Sequence, residues 1–124
     1  MKKLLLAAAL ALAPMTALAA SSDWTINAAF DSMGVKFTTT CHLDQDAGGK
    51  LSGTCIGSAQ EKTVASGAVA TGTDGKPSYN FGYDTTYDGT PVHLEYVGSP
   101  QADGSLAGTI STGGPQGTFT ATRK

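Results

Sequence analysis

After residue 19 the 124-residue sequence has no stretch in which apolar residues recur at three- and four-residue spacing. Amphipathic helices need that spacing to bury one face, so a helical bundle is excluded. No apolar run beyond the N-terminal segment is long enough to cross a bilayer, and membrane insertion is not expected. With Lys2 and Lys3 set aside as part of that segment, six basic residues face ten acidic ones. Nucleic-acid binding calls for a basic patch, and none is present. There are only two histidines and two cysteines, and no cluster of His, Cys and carboxylates offers the three or four converging ligands of a metal site. A Gly-x-Ser-x-Gly elbow, a phosphate-cradling P-loop and a dinucleotide fingerprint are all missing. No cofactor is implied, and enzymatic activity is not expected.

What is present begins with a leader. Met1-Lys2-Lys3 is a short positive start, and Leu4 to Ala13 is an apolar run too short for a stable anchor. Ala17-Leu18-Ala19 supplies the small residues a signal peptidase needs, which places cleavage after Ala19. No cysteine stands near that site to carry a lipid. Residues 1–19 therefore read as a bacterial signal peptide and 20–124 as one small exported domain, periplasmic or secreted, where disulfides persist.

In the rest of the chain Thr, Val, Tyr, Phe and Gly dominate, and turn signals recur every 8–14 residues, an all-β pattern. Strand registers can be tested, because a correct register keeps apolar residues on one face. A turn at Asp46–Lys50 sets Cys41 opposite Cys55 and Leu43 opposite Gly53. Asp88-Gly89 sets Phe81 opposite Tyr96, Tyr83 opposite Leu94 and Asp84 opposite His93; Gly113-Gly114 sets Ile110 opposite Gly117. A turn at Ser32-Met33 pairs Phe30 with Val35 and Trp24 with Cys41. Two-residue turns at Ser58-Ala59 and Asp74-Gly75 would pair Val64 with Gly53, and Ser66, Ala68 and Ala70 with Tyr83, Phe81 and Tyr79. A looser loop, Ser99 to Asp103, lets Tyr96 face Leu106. One residue fits poorly: Lys62 falls inward, opposite Cys55.

Eight antiparallel strands in meander order, each with one apolar face, cannot stay open with that face wet. Closing the last strand (116–122) on the first (24–31) buries it and removes both edges, which predicts an up-and-down barrel. Two stacked sheets are the alternative. Gly49-Lys50-Leu51-Ser52-Gly53-Thr54 recurs as Gly104-Ser105-Leu106-Ala107-Gly108-Thr109. Its inward glycines are expected to make room for Leu43 and Phe119. These repeats, the Trp24-x-Ile26 opening and the closing Gly117-Thr118-Phe119-Thr120-Ala121-Thr122-Arg123 resemble a small β-barrel domain of bacterial secreted proteins, found alone or appended to larger hydrolase-like chains without an assigned activity. In outline that domain is similar to avidin-type and lipocalin-type barrels. Avidin's polar biotin contacts have no residue-by-residue match here.

Four groups of residues remain to be read. Cys41 and Cys55 form a structural disulfide: cross-strand Cα separations of about 4.5–5.5 Å suit the bond. His42 and His93 point outward; Asp84 and Glu95 beside His93 read as a solvated charge contact, because an outer wall offers no water-excluding pocket. The outward threonines Thr38, Thr40, Thr54, Thr109, Thr118, Thr120 and Thr122 are good strand formers. The inward aromatics Trp24, Tyr79, Phe81, Tyr83 and Tyr96 face a strand that offers only Ser66, Ala68 and Ala70. Either small residues accommodate large ones in a solid interior, or a void lined by those five aromatics takes a small apolar or aromatic ligand whose binding would quench Trp24. The first alternative makes the chain a structural or interaction module of the cell envelope; the second makes it a binding barrel.

Overall fold

The computed structural model describes residues 20–124; the expected leader, 1–19, lies outside the described residues. The described chain is an eight-stranded antiparallel barrel, closed in the order of the sequence. Its strands are β1 (Ala20–Phe30), β2 (Val35–Gln45), β3 (Lys50–Gly57), β4 (Lys62–Thr71), β5 (Pro77–Tyr87), β6 (Thr90–Pro100), β7 (Leu106–Ser111) and β8 (Gln116–Arg123). A single 3₁₀ turn, Asp31–Met33, joins β1 to β2. Closure comes from β8 on β1, running from Trp24 opposite Arg123 to Ala29 opposite Thr118. Pairing runs continuously around the barrel, so among the described residues no strand is an edge along its whole length.

Four of the expected registers hold residue for residue. Cys41 faces Cys55, and the two are bonded. Phe30 faces Val35, Phe81 faces Tyr96 and Ile110 faces Gly117. The repeated Gly-x-Leu-x-Gly-Thr segments occupy equivalent places: each starts a strand directly after a turn and buries its leucine, Leu51 or Leu106.

The expected face of β4 is overturned. Ala65 faces Gly53, Gly67 faces Phe81 and Val69 faces Tyr79. Val64, Ser66, Ala68 and Ala70 therefore point outward, and Val64 is 77% exposed. The cause lies in the flanking turns, which hold three loop residues rather than two. In each, the chain makes a tight turn and then one residue in the left-handed region: Gln60 (φ 67°) between β3 and β4, Gly75 (φ 78°) between β4 and β5. An odd loop shifts the register by one, and a one-residue shift exchanges the two faces of a strand. With both flanking turns odd, β4 turns over as a whole, and Lys62 moves outward to face Ile56.

A second correction concerns β6 and β7, where Tyr96 faces Ile110 and Leu106 faces Pro100. The face is as expected, and the tighter turn at Gln101–Ser105 moves the pairing along the strand. The glycines also act differently from expectation. A Cβ on Gly108 would strike the Val97 carbonyl, so that glycine permits close approach of two backbones. Gly98 is the residue that makes room for Phe119, whose Cζ would lie 2.7 Å from an added Cβ.

Three turns at one end of the barrel share one construction. Gly49, Gly75 and Gly104 each take the left-handed position, and an aspartate in each turn (Asp46, Asp74, Asp103) accepts a hydrogen bond from the main-chain N–H two to four residues on. Burial of the inward face supplies the cohesion. Trp24, Ile26, Leu43, Leu51, Phe81, Tyr96, Leu106, Ile110 and Phe119 are all nearly inaccessible to solvent. The middle of the barrel is filled by aromatic contact: Phe81 stacks on Tyr96 at 4.8 Å between ring centres, and Phe119 meets the edge of that pair at 5.1 Å from Tyr96.

Candidate functional site

Filling stops short of one end. At the mouth ringed by the turns β1–β2, β3–β4, β5–β6 and β7–β8 lies a cavity of about 440 Å³, within the range of small-molecule pockets. It lies beyond the packed ring layer that fills the middle of the barrel. Thr39, Gly57, Thr63 and Thr85 form one wall; Phe30, Val35, Phe37, Val92 and Leu94 form the other. Tyr83 lies at its inner limit, and the exposed apolar side chains of Met33 and Tyr87 stand at the rim.

The five aromatics named from the sequence part company here. Tyr83 lines the cavity. Tyr96 and Phe81 form the packed layer beneath it, fully buried. Tyr79 is half-buried against that core, nearer the opposite end of β5. Trp24 is buried beneath the Arg123 guanidinium, which sits 4.9 Å from the ring centre. It is six positions from Phe30 along β1, about 20 Å at the usual rise of a strand. A ligand at the mouth would not contact Trp24. Sequence reasoning named none of the other lining residues as part of a site; Thr63 and Glu61 of the β3–β4 hairpin were hidden by the misplaced turn, and Met33 and Tyr87 stand at the rim.

Hydroxyls connect the cavity to the core. Tyr83 and Tyr96 share a hydrogen bond of 2.6 Å. Burial pushes the Tyr83 hydroxyl above its ordinary range, the Glu61 charge adds to this, and hydrogen bonds with Tyr96 and Thr39 oppose it. Tyr96 is pushed up further, first by burial and then by Tyr83. Both phenols therefore stay neutral, and neither supplies a phenolate for chemistry.

Two histidine clusters sit outside, on the barrel wall. His93 Nδ1 lies 2.7 Å from Asp84 and Nε2 2.5 Å from Glu95. His42 Nδ1 lies 2.7 Å from Asp23, while Nε2 meets Ser21 Oγ at 3.0 Å and Asp44 at 3.2 Å. Hydrogen bonds to these carboxylates raise both imidazoles above their ordinary range, Asp23 leading at His42 and Glu95 at His93. Ser21, His42 and Asp23 have the connectivity of a nucleophile, a base and an orienting carboxylate. Ser21 nevertheless donates its proton to Asp44 at 2.5 Å. A carboxylate beside the serine opposes the negative charge that acyl transfer develops. Both clusters are open to solvent and read as ion pairs. Among the described residues no group of three or more His, Cys, Asp or Glu converges as a metal site, and no helix is long and apolar enough to cross a membrane.

Comparison of the chain with protein-family models, curated proteins and solved structures found no match.

Proposed function

We propose that this chain is a non-enzymatic binding barrel that holds one small, partly apolar molecule in the cavity at its mouth. The observation that carries this reading is the contrast within one interior. The middle is packed ring against ring, while a space of about 440 Å³ with mainly apolar walls is left open at one end. Cavities in folded proteins are normally small, because every unfilled volume forfeits dispersion contact. A space of this size with an apolar rim suits a ligand. Catalysis is not part of the reading, since the phenols nearest the cavity are held neutral and both imidazoles lie on the outer wall.

The reading places the protein outside the cytoplasm. Its support is the leader-like segment 1–19, the resemblance to secreted barrel domains, and a disulfide compatible with an oxidising compartment. Protein recovered from its own cells should begin at Ala20, and an intact mass that retains Met1 would count against export.

Because Trp24 is remote from the cavity, the test needs a reporter at the rim. A Tyr87→Trp variant, titrated with neutral apolar probes such as N-phenyl-1-naphthylamine, should show saturable fluorescence change at one probe per chain. Absence of saturation across a panel of such probes would remove the binding reading. Ile56 and Val64, an exposed apolar diagonal on the outer face of β3 and β4, favour a second reading in which the outer wall meets another protein.

A further inference from the structure

The mouth cavity is two-sided, and its polar side has a direction. Thr39 Oγ1 donates to the Ile56 carbonyl at 3.0 Å, and Thr63 Oγ1 donates to the Cys55 carbonyl at 3.3 Å. A hydroxyl has one proton and two lone pairs, so both threonines direct their proton into the wall and turn lone pairs toward the space. The tyrosine pair also has a direction. Tyr96 is fully buried with Tyr83 as its one side-chain partner among the described residues. Were Tyr83 the donor, the Tyr96 proton would be buried without an acceptor, so Tyr96 donates to Tyr83. Tyr83, at the inner limit of the cavity, accepts from Tyr96 and keeps its own proton. The Thr39 and Thr63 protons thus point into the wall, away from the cavity.

Glu61 completes that side. Its carboxylate lies at the mouth, held by the Ala59 N–H at 3.2 Å in the β3–β4 turn. The inward hydroxyls of Tyr83 and Thr85 are neutral donors against that charge. The one lysine that reaches the cavity, Lys36, is exposed and occupies an outward strand position between inward Val35 and Phe37. A molecule lying in the space therefore meets apolar side chains on one flank and, on the other, the lone pairs of Thr39 and Thr63 and the Glu61 carboxylate.

We infer that the cavity selects an apolar molecule that carries a hydrogen-bond donor, a hydroxyl or an ammonium group, and rejects the same molecule bearing a carboxylate. This rests on the binding reading above. The physics is that of any partly desolvated site. A donor satisfies the lone pairs it displaces from water, and an ammonium gains the attraction of Glu61. A carboxylate would lose its own hydration and face acceptors and a like charge.

The experiment is calorimetric titration of the disulfide-bonded protein at neutral pH with three ligands on one apolar body: 4-butylbenzyl alcohol, 4-butylbenzylamine and 4-butylbenzoate. The amine and the alcohol are expected to bind at one per chain, with the carboxylate at least tenfold weaker. In Glu61→Gln, whose amide oxygen can still accept from Ala59, the amine should lose about its advantage over the alcohol while alcohol affinity stays within twofold. Benzoate binding as tightly as the amine would overturn the donor selectivity and leave the cavity as a ligand site. An unchanged amine advantage in Glu61→Gln, in protein that melts as the parent does, would overturn the role of Glu61. If none of the three binds saturably, the binding reading beneath the inference fails.

Discussion

The Tyr83–Tyr96 hydrogen bond allows an asymmetric prediction. Replacing Tyr83 by Phe removes the side-chain partner of a hydroxyl that is fully buried, with solvent accessibility of Tyr96 at 0%. The stranded Tyr96 hydroxyl should cost about 1–3 kcal/mol, the range for a buried polar group left unpaired. Replacing Tyr96 instead leaves the Tyr83 hydroxyl beside Thr39 and the cavity, where water can reach it, and should cost about 0.5–1.5 kcal/mol. The double variant Tyr83→Phe/Tyr96→Phe strands neither group. It should return to within about 1 kcal/mol of the parent, so the two changes are non-additive by about 0.5 kcal/mol or more. For a domain of about 100 residues each kcal/mol moves the melting midpoint by about 4–8 °C. Far-ultraviolet circular dichroism during thermal and urea unfolding, with the disulfide intact, reads all four proteins. A Tyr83→Phe variant more stable than Tyr96→Phe, or a double variant as unstable as the sum of the singles, would refute both the proton direction and the isolation of Tyr96.

Gln60 holds the left-handed position that Gly49, Gly75 and Gly104 hold in the matching turns. Gln60→Gly should therefore stabilise the barrel by about 0.5–1 kcal/mol and Gly75→Gln should destabilise it by a similar amount, as paired urea titrations will show. Loss of the disulfide in Cys41→Ala/Cys55→Ala should cost less than the roughly 3 kcal/mol that chain-entropy arguments assign to a loop of this length, because the hairpin already closes that loop. His93 is raised by Glu95 and Asp84, so its protonated form contributes stability that is complete below the unfolded imidazole value, near 6.5, and is lost as pH rises through the folded one. The melting midpoint of the parent should fall across neutral to mildly alkaline pH, by a small amount for so exposed a pair, and should fall less in His93→Gln.

How far the sequence reaches depends on turn parity. Where an Asp-Gly pair is the whole turn, as at Asp88-Gly89, the register and the buried face followed directly; the same pair at Asp74-Gly75 misled, because that loop holds a third residue, Thr73. The β3–β4 turn gave no such signal, because its left-handed residue is Gln60, where the sister turns carry glycine. Alignment of Gly57–Glu61 with Asp46–Lys50 would have exposed it, and Lys62 set opposite a buried cysteine was the visible symptom. Val64 added to the error: an apolar residue is drawn inward by any pattern argument, yet it stands 77% exposed. The aromatic layer was legible for the same reason, since rings on strands of known parity must meet. The cavity was not, because it arises from what the mouth lacks, and the volume between strands follows from tilt and packing that no single strand encodes.

The two ends of the barrel are built by different rules. At one end three turns repeat the same left-handed glycine with an aspartate fastening the main chain. At the other, the connections are a 3₁₀ turn, a loop with glutamine in the left-handed place, a two-residue Asp88-Gly89 turn and a Thr112–Pro115 bend. Uniformity belongs where strands are only being joined, and variety belongs where four short loops frame an opening. For protein engineering this is a natural separation of chassis from interface. Libraries randomised in the four mouth loops should retain a folded barrel and diversify what it holds, whereas the same mutational load on the three repeated turns should fall on the scaffold itself.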